Sequence, residues 1–341
     1  MSRTTIKDIA KECGVSLSTV SLVLNNNPRI SAKTRARVQA AVKRHSYQPN
    51  IHARGLASQT SQVLSVVVPQ LNHVFADVYF GEIVSGIYDR ACEENYKLLL
   101  DVANPKFVDS EEYINLLKSR RADGMLFIAS SIKDDYLKVF EDSPYTFLLV
   151  NHYFPGSELN YLAVDYKDSA RQAAEHLVGL GHRRIGLIAG TNTYTGLEFR
   201  DSFIAHCRSL GLAEEDLLWT DGGKDWSQEG GFEASRQLMA RHPGITAIMA
   251  ANDRLAIGAM RYVHTHDLKV PEDISVMGVD DISLSSFTTP GLTTIRHDLY
   301  QLGQVACARM LALFRKEIPT CSEVLPVKLV GRESTGPARK S

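Results

Sequence analysis

The chain of 341 residues has few of the residues that mark several common kinds of site. Its five cysteines are scattered, odd in number and without a Cys-x-x-Cys pair, which is typical of buried thiols in a reducing compartment. The 11 histidines show no metal-ligand spacing, and no glycine-rich phosphate loop or nucleophile elbow is present. The sequence therefore predicts no metal, no cofactor and no enzyme that depends on those motifs.

Long apolar runs are also missing. No run approaches the roughly 20 residues that a transmembrane helix needs, and the N-terminal residues are polar, unlike a signal peptide. A hydrophobic content of 44% and a charged content of 23% are ordinary for a soluble globular protein. We expect a cytoplasmic protein of two or three domains that has no membrane partner.

The net charge of −1 hides a strong asymmetry along the chain. Residues 1–62 contain ten Lys and Arg against two Asp and Glu, a net charge of +8, whereas the remainder carries 28 against 37, a net charge of −9. A basic segment of this kind is the pattern of a module that neutralises nucleic-acid phosphates. A merely solvated basic surface is the alternative, but such a surface need not concentrate at one terminus.

Capping signals within the basic segment indicate a helix-turn-helix. Thr5 and Asp8 fit a capping box, Gly14 can end the first helix in the left-handed conformation, and Ser16 suits the N-cap of a second helix. That second helix would bury Val20, Val23 and Leu24 and would direct outward Leu17, Ser18, Ser21, Leu22 and Asn25. Many small three-helix domains share such patterns, but the charge favours the motif whose second helix enters the major groove.

From Val63 onward, short apolar runs alternate with amphipathic stretches, which predicts parallel sheets covered by helices on both faces. In such sheets, ligands bind at the carboxyl ends of the strands. Asn151, Asn252 and Asp280 follow predicted strands, and Arg200 and Trp226 join them from intervening segments. Each polar residue alone could simply cap the next helix. As a set they predict a cleft, in which Trp226 could cover the apolar side of a pyranose.

Several short motifs occur together in the head: Thr5-Ile6-Lys7-Asp8-Ile9-Ala10, Gly14-Val15-Ser16, Thr19-Val20-Ser21, Val23-Leu24-Asn25 and Tyr47-Gln48-Pro49-Asn50. Others follow in the body, including Asn252-Asp253, Gly278-Val279-Asp280-Asp281 and Pro290-Gly291-Leu292-Thr293-Thr294-Ile295. They resemble the lac repressor/galactose repressor (LacI/GalR) family of bacterial transcription regulators, and the resemblance covers nearly the whole chain. It implies a repressor that binds a near-palindromic double-stranded operator under the control of a small ligand, most naturally a sugar.

The resemblance also implies an architecture. It is an α/β chain with an N-terminal three-helix helix-turn-helix domain and a periplasmic-binding-protein-like core of two doubly wound parallel-sheet sub-domains. The implied ranges are 1–47 for the DNA-binding domain, 48–62 for a hinge helix and linker, and 63–341 for the effector-binding core. Within the core, the N-terminal sub-domain would comprise about 63–163 plus 293–322, and the C-terminal one about 164–292 plus 323–341. The polar tail has no heptads, so we expect a homodimer.

Carried over residue by residue, the resemblance assigns two sets of site residues. The expected DNA contacts are Thr5, Ser16, Leu17, Ser18, Thr19, Ser21, Leu22, Asn25, Tyr47, Asn50, Ala53 and Leu56, of which Leu56 would wedge into the minor groove. The expected effector contacts are Asn151, Arg200, Trp226, Asn252 and Asp280. Leu22 stands where the family usually has Arg, so the operator should differ from the family's commonest sequences.

Other departures from the family pattern affect the ligand. Phe203 replaces a small glycine, Leu299 stands where an aromatic residue might stack, and residues 69–86 are about four longer than usual. A purine- or nucleoside-responsive regulator is therefore an alternative. A sugar receptor without DNA binding is a second one, and an enzyme using Asp280 with Asp281, or His297, as acid and base is a third.

The basic head leads to a prediction about salt. If the chain makes six to ten phosphate contacts, raising the salt concentration from 50 to 200 mM should weaken DNA binding by about a thousandfold or more, because bound counterions are released. Fluorescence anisotropy with a labelled duplex measures this dependence. A flat salt response would contradict the assignment of the head to DNA.

Overall fold

A computed structural model of the chain describes residues 4–24, 27–45, 47 and 60–339. The chain forms two compact units, Met1–Ser61 and Gln62–Ser341, which are described separately. The expected DNA contacts Asn25, Asn50, Ala53 and Leu56 lie outside the described residues, as does most of the expected hinge.

The first unit is the predicted three-helix head, with α1 (Ile6–Cys13), α2 (Leu17–Leu24) and α3 (Ala32–Arg44). The predicted caps are confirmed. The backbone N–H of Thr5 donates to the Asp8 carboxylate at 2.8 Å, and Gly14 ends α1 with a φ of 55°. The Ser16 hydroxyl accepts from the Thr19 backbone N–H at 3.1 Å, so it satisfies one of the free donors at the start of α2.

The core of the head is small and is formed by all three helices. Its buried side chains are Ile9, Ala10, Cys13, Val20, Val23, Val38 and Ala41. Val20 and Val23 face this core as predicted, and Leu24 is half-buried at its edge. Burying one side of α2 in this way leaves its opposite side free for another molecule.

Two six-stranded sheets form the second unit. The strands are β1 (Val63–Pro69), β2 (Lys97–Ala103), β3 (Gly124–Ile128), β4 (Phe147–Val150), β5 (Tyr161–Val164), β6 (Ile185–Ala189), β7 (Leu217–Asp221), β8 (Ala247–Ala250), β9 (Ser275–Asp280), β10 (Thr293–Arg296), β11 (Ser322–Leu325) and β12 (Lys328–Val330). The first sheet has the order β11-β5-β4-β3-β1-β2 and is parallel throughout. The second has the order β12-β10-β9-β8-β6-β7, with only the edge strand β12 antiparallel. The predicted fold class is thus confirmed.

The helices of this unit cover the sheets. They are α4 (Val78–Glu93), α5 (Pro105–Asp109), α6 (Glu112–Lys118), α7 (Tyr166–Gly179), α8 (Tyr194–Ser209), α9 (Gln228–Arg241), α10 (Asp253–Thr265) and α11 (Leu299–Phe314). Helices α4 and α11 pack so closely that a Cβ atom on Gly86 would lie 2.0 Å from the Tyr300 carbonyl oxygen. Glycine is required there because any side chain would separate the helices. None of the described helices has the length and apolarity to cross a membrane.

The chain crosses between the two sheets three times; the first crossing is where we expected it, and the second and third lie slightly later in the chain. The first crossing follows β5, and Asp165 then caps α7. Strand β10 belongs to the second sheet because it pairs with β9, so Thr293–Arg296 corrects the expectation that residue 293 starts a return to the first. Strand β11 pairs with β5 in the first sheet, and the last crossing follows it at about residue 326. Strand pairing, which apolar patterns do not encode, decides these points.

His152 is a buried side chain with an unusual environment. It is 0% exposed, packs against the rings of Phe154 and Tyr194, and neither of its ring nitrogens has a hydrogen-bond partner in the described part of the chain. Burial lowers its pKa from 6.5 to about 3, because the imidazolium cannot be solvated there. The folded chain therefore keeps the His152 ring uncharged at neutral pH.

This environment predicts acid sensitivity. Below a pH of about 6.5, the unfolded chain binds a proton at His152 that the folded chain does not, so stability is complete above that pH and declines as pH falls toward 3. His152→Leu should make the unfolding free energy less dependent on pH, with a slope lower by about 1.4 kcal/mol per pH unit between pH 6 and 4. Urea denaturation at several pH values measures it, with the exposed His264→Leu as control. Equal slopes in wild type and His152→Leu would contradict the prediction.

Candidate functional sites

The outward side of α2 presents the side chains expected to meet base pairs. Leu17 and Leu22 are 44% and 37% exposed, although leucine is usually buried. Ser18 is exposed beside them, and Ser21 is half-buried. Because Val20 and Val23 hold the other side of the helix in the core, this face is available to enter a groove.

The remaining described candidates of the head already have partners within it. The Ser16 and Thr19 hydroxyls lie 2.9 Å apart, and the Thr5 hydroxyl donates to Asp8 at 2.8 Å. Tyr47 is half-buried and packs against the core of the head. Any phosphate contact from these groups has to share or replace the existing bonds.

The positive charge of the head is largely unpaired. Among its described arginines and lysines, Arg44 alone contacts a carboxylate, that of Glu12 at 2.9 Å. Glu12 also contacts His45, and the other acidic residue of the head, Asp8, is bonded to Thr5. Arg35 donates to the Asn27 carbonyl at 2.6 Å, and none of the other described cations contacts a carboxylate, so their charge can interact with an external polyanion.

A cleft of about 420 Å³ lies within the second unit, at the carboxyl ends of strands from both sheets. Asn151 follows β4, Asn252 follows β8, and Asp280 ends β9. The lining comprises Pro69, Gln70, Leu71, Asp77, Tyr79, Phe80, Ala103, Ala129, Ser131, Lys133, Asp134, Asn151, Tyr166, Asn192, Thr193, Thr195, Lys224, Asp225, Trp226, Ala251, Asn252, Arg254 and Asp280. Four of the five expected effector residues are thus brought together.

Asn151 holds two tyrosines. Its backbone is left-handed, with a φ of 54°, and turns the chain sharply at the end of β4. Its Nδ2 donates to the hydroxyl oxygens of Tyr79 at 2.6 Å and Tyr166 at 2.8 Å. Its Oδ1 accepts from the Val164 backbone N–H at 3.3 Å, so the side chain is fixed on both sides.

Asp280 is a buried carboxyl group with few hydrogen-bond partners. It is 6% exposed, and in the described part of the chain no donor meets hydrogen-bond geometry with its carboxylate; His297 Nδ1 is 3.2 Å away. Burial raises its pKa well above the ordinary value, the charge of Asp77 adds to this, and Arg254 opposes it. The carboxyl group therefore lacks the donors that a ligand could supply.

Asp253 shows the contrasting case of a buried carboxylate with several donors. It accepts from the Ile282 N–H at 2.9 Å and from the Ser285 and Thr294 hydroxyls at 2.6 Å each. Burial and the nearby Asp280 still raise its pKa, to about 8. These bonds join the start of α10 to the segment that follows β9 and to β10, so Asp253 supports the cleft without lining it.

Trp226 forms part of the cleft wall through its indole ring. Its Nε1 donates to Asn192 Oδ1 at 2.6 Å, and the ring lies so close to Gly190 that a Cβ there would be 1.8 Å from it. Asn252 Nδ2 donates to the Trp226 carbonyl at 3.3 Å, while Asn252 Oδ1 caps α10 through the Leu255 N–H at 2.8 Å. Asn252 is therefore both a helix cap and a wall residue.

An ion pair between the sub-domains was not predicted. The Arg254 guanidinium contacts the carboxylate of Asp77, which also caps α4 by accepting from the Tyr79 N–H at 3.0 Å. Asp77 belongs to the side of the first sheet and Arg254 to the side of the second, and both line the cleft. Arg254 is thereby occupied, which leaves Asp280 without a cationic partner of its own.

Arg200 is the one expected effector residue that the structure directs elsewhere. Its guanidinium contacts Asp201 at 2.7 Å and lies 4.9 Å from the centre of the Trp219 ring. It does not line the cleft. The physical reason lies in α8, where Phe199 and Phe203 are both buried and stacked, so this part of the helix faces the core.

Sequence reasoning also missed Tyr79 and Tyr166. Each is an early residue of its helix, α4 and α7, and follows an aspartate that caps that helix. The cap signals could have placed both residues at helix N-termini. Nothing in the pattern indicates that Tyr79 and Tyr166 meet at Asn151, because α4 and α7 are separated by more than 70 residues of chain.

Comparison with known proteins agrees with this geometry. Residues 5–50 match the family described as bacterial regulatory proteins of the lacI family, and residues 174–335 match the periplasmic binding protein-like domain. The chain is 32% identical to the HTH-type transcriptional regulator GalR of Escherichia coli (strain K12) over 97% of its own length and 95% of that of GalR.

Solved structures agree as well. The lac repressor dimer bound to operator and the anti-inducer ONPF superposes with a TM-score of 0.86 at 30% identity, over 98% of this chain and 100% of that one. The complex of the transcriptional regulator CelR with cellobiose has a TM-score of 0.73 at 25% identity, over 97% and 100%. With its matching head, its two-sheet body and a relative of this identity along nearly its entire length, the chain belongs to the lacI family of bacterial regulatory proteins and is a DNA-binding transcription regulator.

Proposed function

We propose that the protein is a cytoplasmic repressor that binds a near-palindromic operator as a homodimer and senses a sugar in the cleft of its second unit. The observation that carries the effector assignment is the convergence of Asn252, Trp226 and Asp280 at the strand ends of one cleft. Polar side chains at such ends can bind hydroxyl groups, and the aromatic ring can cover a sugar face.

Homodimer formation is supported by one surface of the second unit. Tyr88 on α4 is 55% exposed and Leu100 on β2 is 44% exposed, and both line one groove. Exposed apolar side chains in a continuous patch are typical of protein interfaces. A two-fold dimer would also present two heads to the two half-sites of a palindrome. The similar lac repressor is bound to its operator as a dimer.

Coupling between cleft and operator follows from the three crossings between the sheets. A ligand that touches both sub-domains favours the closure angle at which its contacts with each are best. The effect on operator affinity is limited by the difference in ligand affinity between the two states. Residues 48–62, with Leu56, remain our predicted hinge between that movement and the DNA.

An enzyme that used Asp280 and His297 as a catalytic pair would need an accessible nucleophile beside His297. His297 lies 3.2 Å from Asp280 and 2.9 Å from the Ser169 hydroxyl, an order that resembles a hydrolytic triad. Ser169 is 0% exposed, however, so no substrate can reach its hydroxyl group. We therefore propose that these groups recognise a ligand and do not catalyse a reaction.

The exposed Leu22 leads to a prediction about operator choice. Leucine offers only apolar contact, for instance to a thymine methyl, whereas arginine can donate two hydrogen bonds to guanine. Leu22→Arg should shift the preferred base at one position of each half-site toward guanine by about 1–3 kcal/mol. Selection from a randomised duplex library measures this preference. Lys33→Arg, on α3 away from this face, is the control, and identical preferences for wild type and Leu22→Arg would reject the placement of α2.

The effector assignment is tested at Asp280. A thermal-shift screen of the full chain against D-galactose, cellobiose, D-ribose and adenosine identifies the binding class. Asp280→Ala should then weaken binding at least about tenfold, because an acceptor for a ligand hydroxyl group is removed, while operator affinity without ligand is retained. Asp267→Ala is a matched control, since Asp267 is exposed, lies outside the cleft and also has a positive φ. If Asp280→Ala binds the ligand as tightly as wild type, the cleft is not the effector site.

A further inference from the structure

The two tyrosines held by Asn151 have an unusual arrangement of hydrogen bonds. A side-chain amide nitrogen carries two hydrogens, and Asn151 donates one to Tyr79 and the other to Tyr166. Its Oδ1 already accepts from the Val164 N–H. Asn151 therefore has no hydrogen left for a ligand, although it was the predicted contact.

The tyrosine hydroxyls, in contrast, each retain a donor. Each phenol oxygen accepts from Asn151. Among the described residues, Tyr79 has no other hydrogen-bond partner for its phenol group, and Tyr166 has the Thr195 hydroxyl, which also lines the cleft. Both side chains line the cleft. Since buried donors are nearly always paired in folded proteins, the Tyr79 hydrogen is available to a molecule bound there. The Tyr166 hydrogen becomes available when a ligand replaces Thr195, whose own hydroxyl can donate to Thr193 at 3.2 Å.

Both phenols also stay protonated at neutral pH. Burial, reinforced by the charge of Asp280, raises the pKa of Tyr79 far above its ordinary value. Burial is likewise the main cause that raises the pKa of Tyr166, and Tyr79 and Asp280 add to it. The wall thus offers two fixed donors, while the neighbouring Asp280 carboxyl group offers acceptors that no described donor satisfies.

The spacing of the donors restricts the ligand. Their oxygens lie 2.6 and 2.8 Å from one nitrogen, so they are at most about 5.4 Å apart. Two neighbouring oxygen atoms of one small molecule can reach both. A hydroxyl group both accepts and donates, so it can accept from a phenol and donate to Asp280 at the same time. An ether oxygen or a ring nitrogen without hydrogen can do only the first.

We infer that Tyr79 and Tyr166 determine effector specificity, that Asn151 is a positioning residue acting through them, and that the effector carries two adjacent hydroxyl groups. This rests on the proposed function, in which the cleft is the effector site. The same diol occurs in monosaccharides and in the ribose of nucleosides, so the shared chemistry is what the site selects.

The test compares probes with and without one of the two hydroxyls. Titration calorimetry on the full chain uses D-galactose with 2-deoxy-D-galactose, D-ribose with 2-deoxy-D-ribose, and adenosine with 2′-deoxyadenosine. For the pair that binds, removing the hydroxyl should weaken wild-type binding about tenfold, and Tyr79→Phe or Tyr166→Phe should do the same. The two losses should not add for the phenol that contacts that hydroxyl, because either change removes the same bond. The binding pair shows whether the diol comes from a sugar or a nucleoside.

The role of Asn151 is tested with Asn151→Asp. The aspartate only accepts, so both phenols would donate to it and turn away from the ligand. We expect a loss at least as large as that in either Phe variant, and no further loss when Tyr79→Phe is added. Tyr113→Phe, a buried tyrosine outside the cleft, is the matched control and should bind like wild type.

The possible failures are distinguishable. Wild-type affinity in both Phe variants, or losses that add fully to that of every deoxy probe, would overturn the inference and leave the cleft as effector site. Additive losses for Asn151→Asp and Tyr79→Phe would overturn the positioning role of Asn151. If no probe binds the wild-type chain, the proposed sugar-sensing function fails, and this inference fails with it.

Discussion

Parallel strand pairing is the constraint on which the rest of the second unit depends. Because neighbouring strands run in the same direction, their carboxyl ends lie along one edge of each sheet, and the polar residues that end them must lie together. Asn151 follows β4 and Asp280 ends β9, and the crossings between the sheets bring these two edges face to face. A cleft with polar walls is the direct result.

Within that cleft, the distribution of hydrogen bonds separates supporting groups from groups available to a ligand. Asp253 has three donors and joins the start of α10 to β10 and to the segment after β9, whereas Asp280, at the end of β9, has no donor with hydrogen-bond geometry in the described part of the chain. Arg254 could have neutralised Asp280 but is occupied by Asp77. A buried group left without partners is costly for folding, so its retention at the cleft is consistent with a bond that forms on binding.

The head follows a different principle, in which charge matters more than shape. Its core is small and needs few buried residues. Its cations outnumber its acidic groups fivefold. Phosphate attraction supplies affinity for any duplex, while the exposed side of α2 supplies selectivity. Leu22 on that side therefore affects which operator sequence is preferred and contributes little to the fold of the head.

Local patterns were sufficient to predict the three helices of the head, their caps at Thr5, Gly14 and Ser16, and the α/β class of the body. Periodicity and capping depend on residues within one turn or one strand, so they can be read along the chain. The family resemblance added the two sub-domains and most of the cleft. The crossing after β10 and the position of Arg200 were misplaced, because strand pairing and the packing of Phe203 involve residues far apart in sequence.

Two sets of contacts could not be predicted from the sequence: those of Asn151 with Tyr79 and Tyr166, and the ion pair of Asp77 with Arg254. Each joins residues from separate elements, and their chemical meaning lies in which hydrogens and lone pairs remain unused. The order of amino acids decided what kinds of element form and where positive charge collects. Only the folded arrangement decided which donors and acceptors face the same cavity, because hydrogen bonds depend on distances of a few ångströms that chain connectivity does not specify.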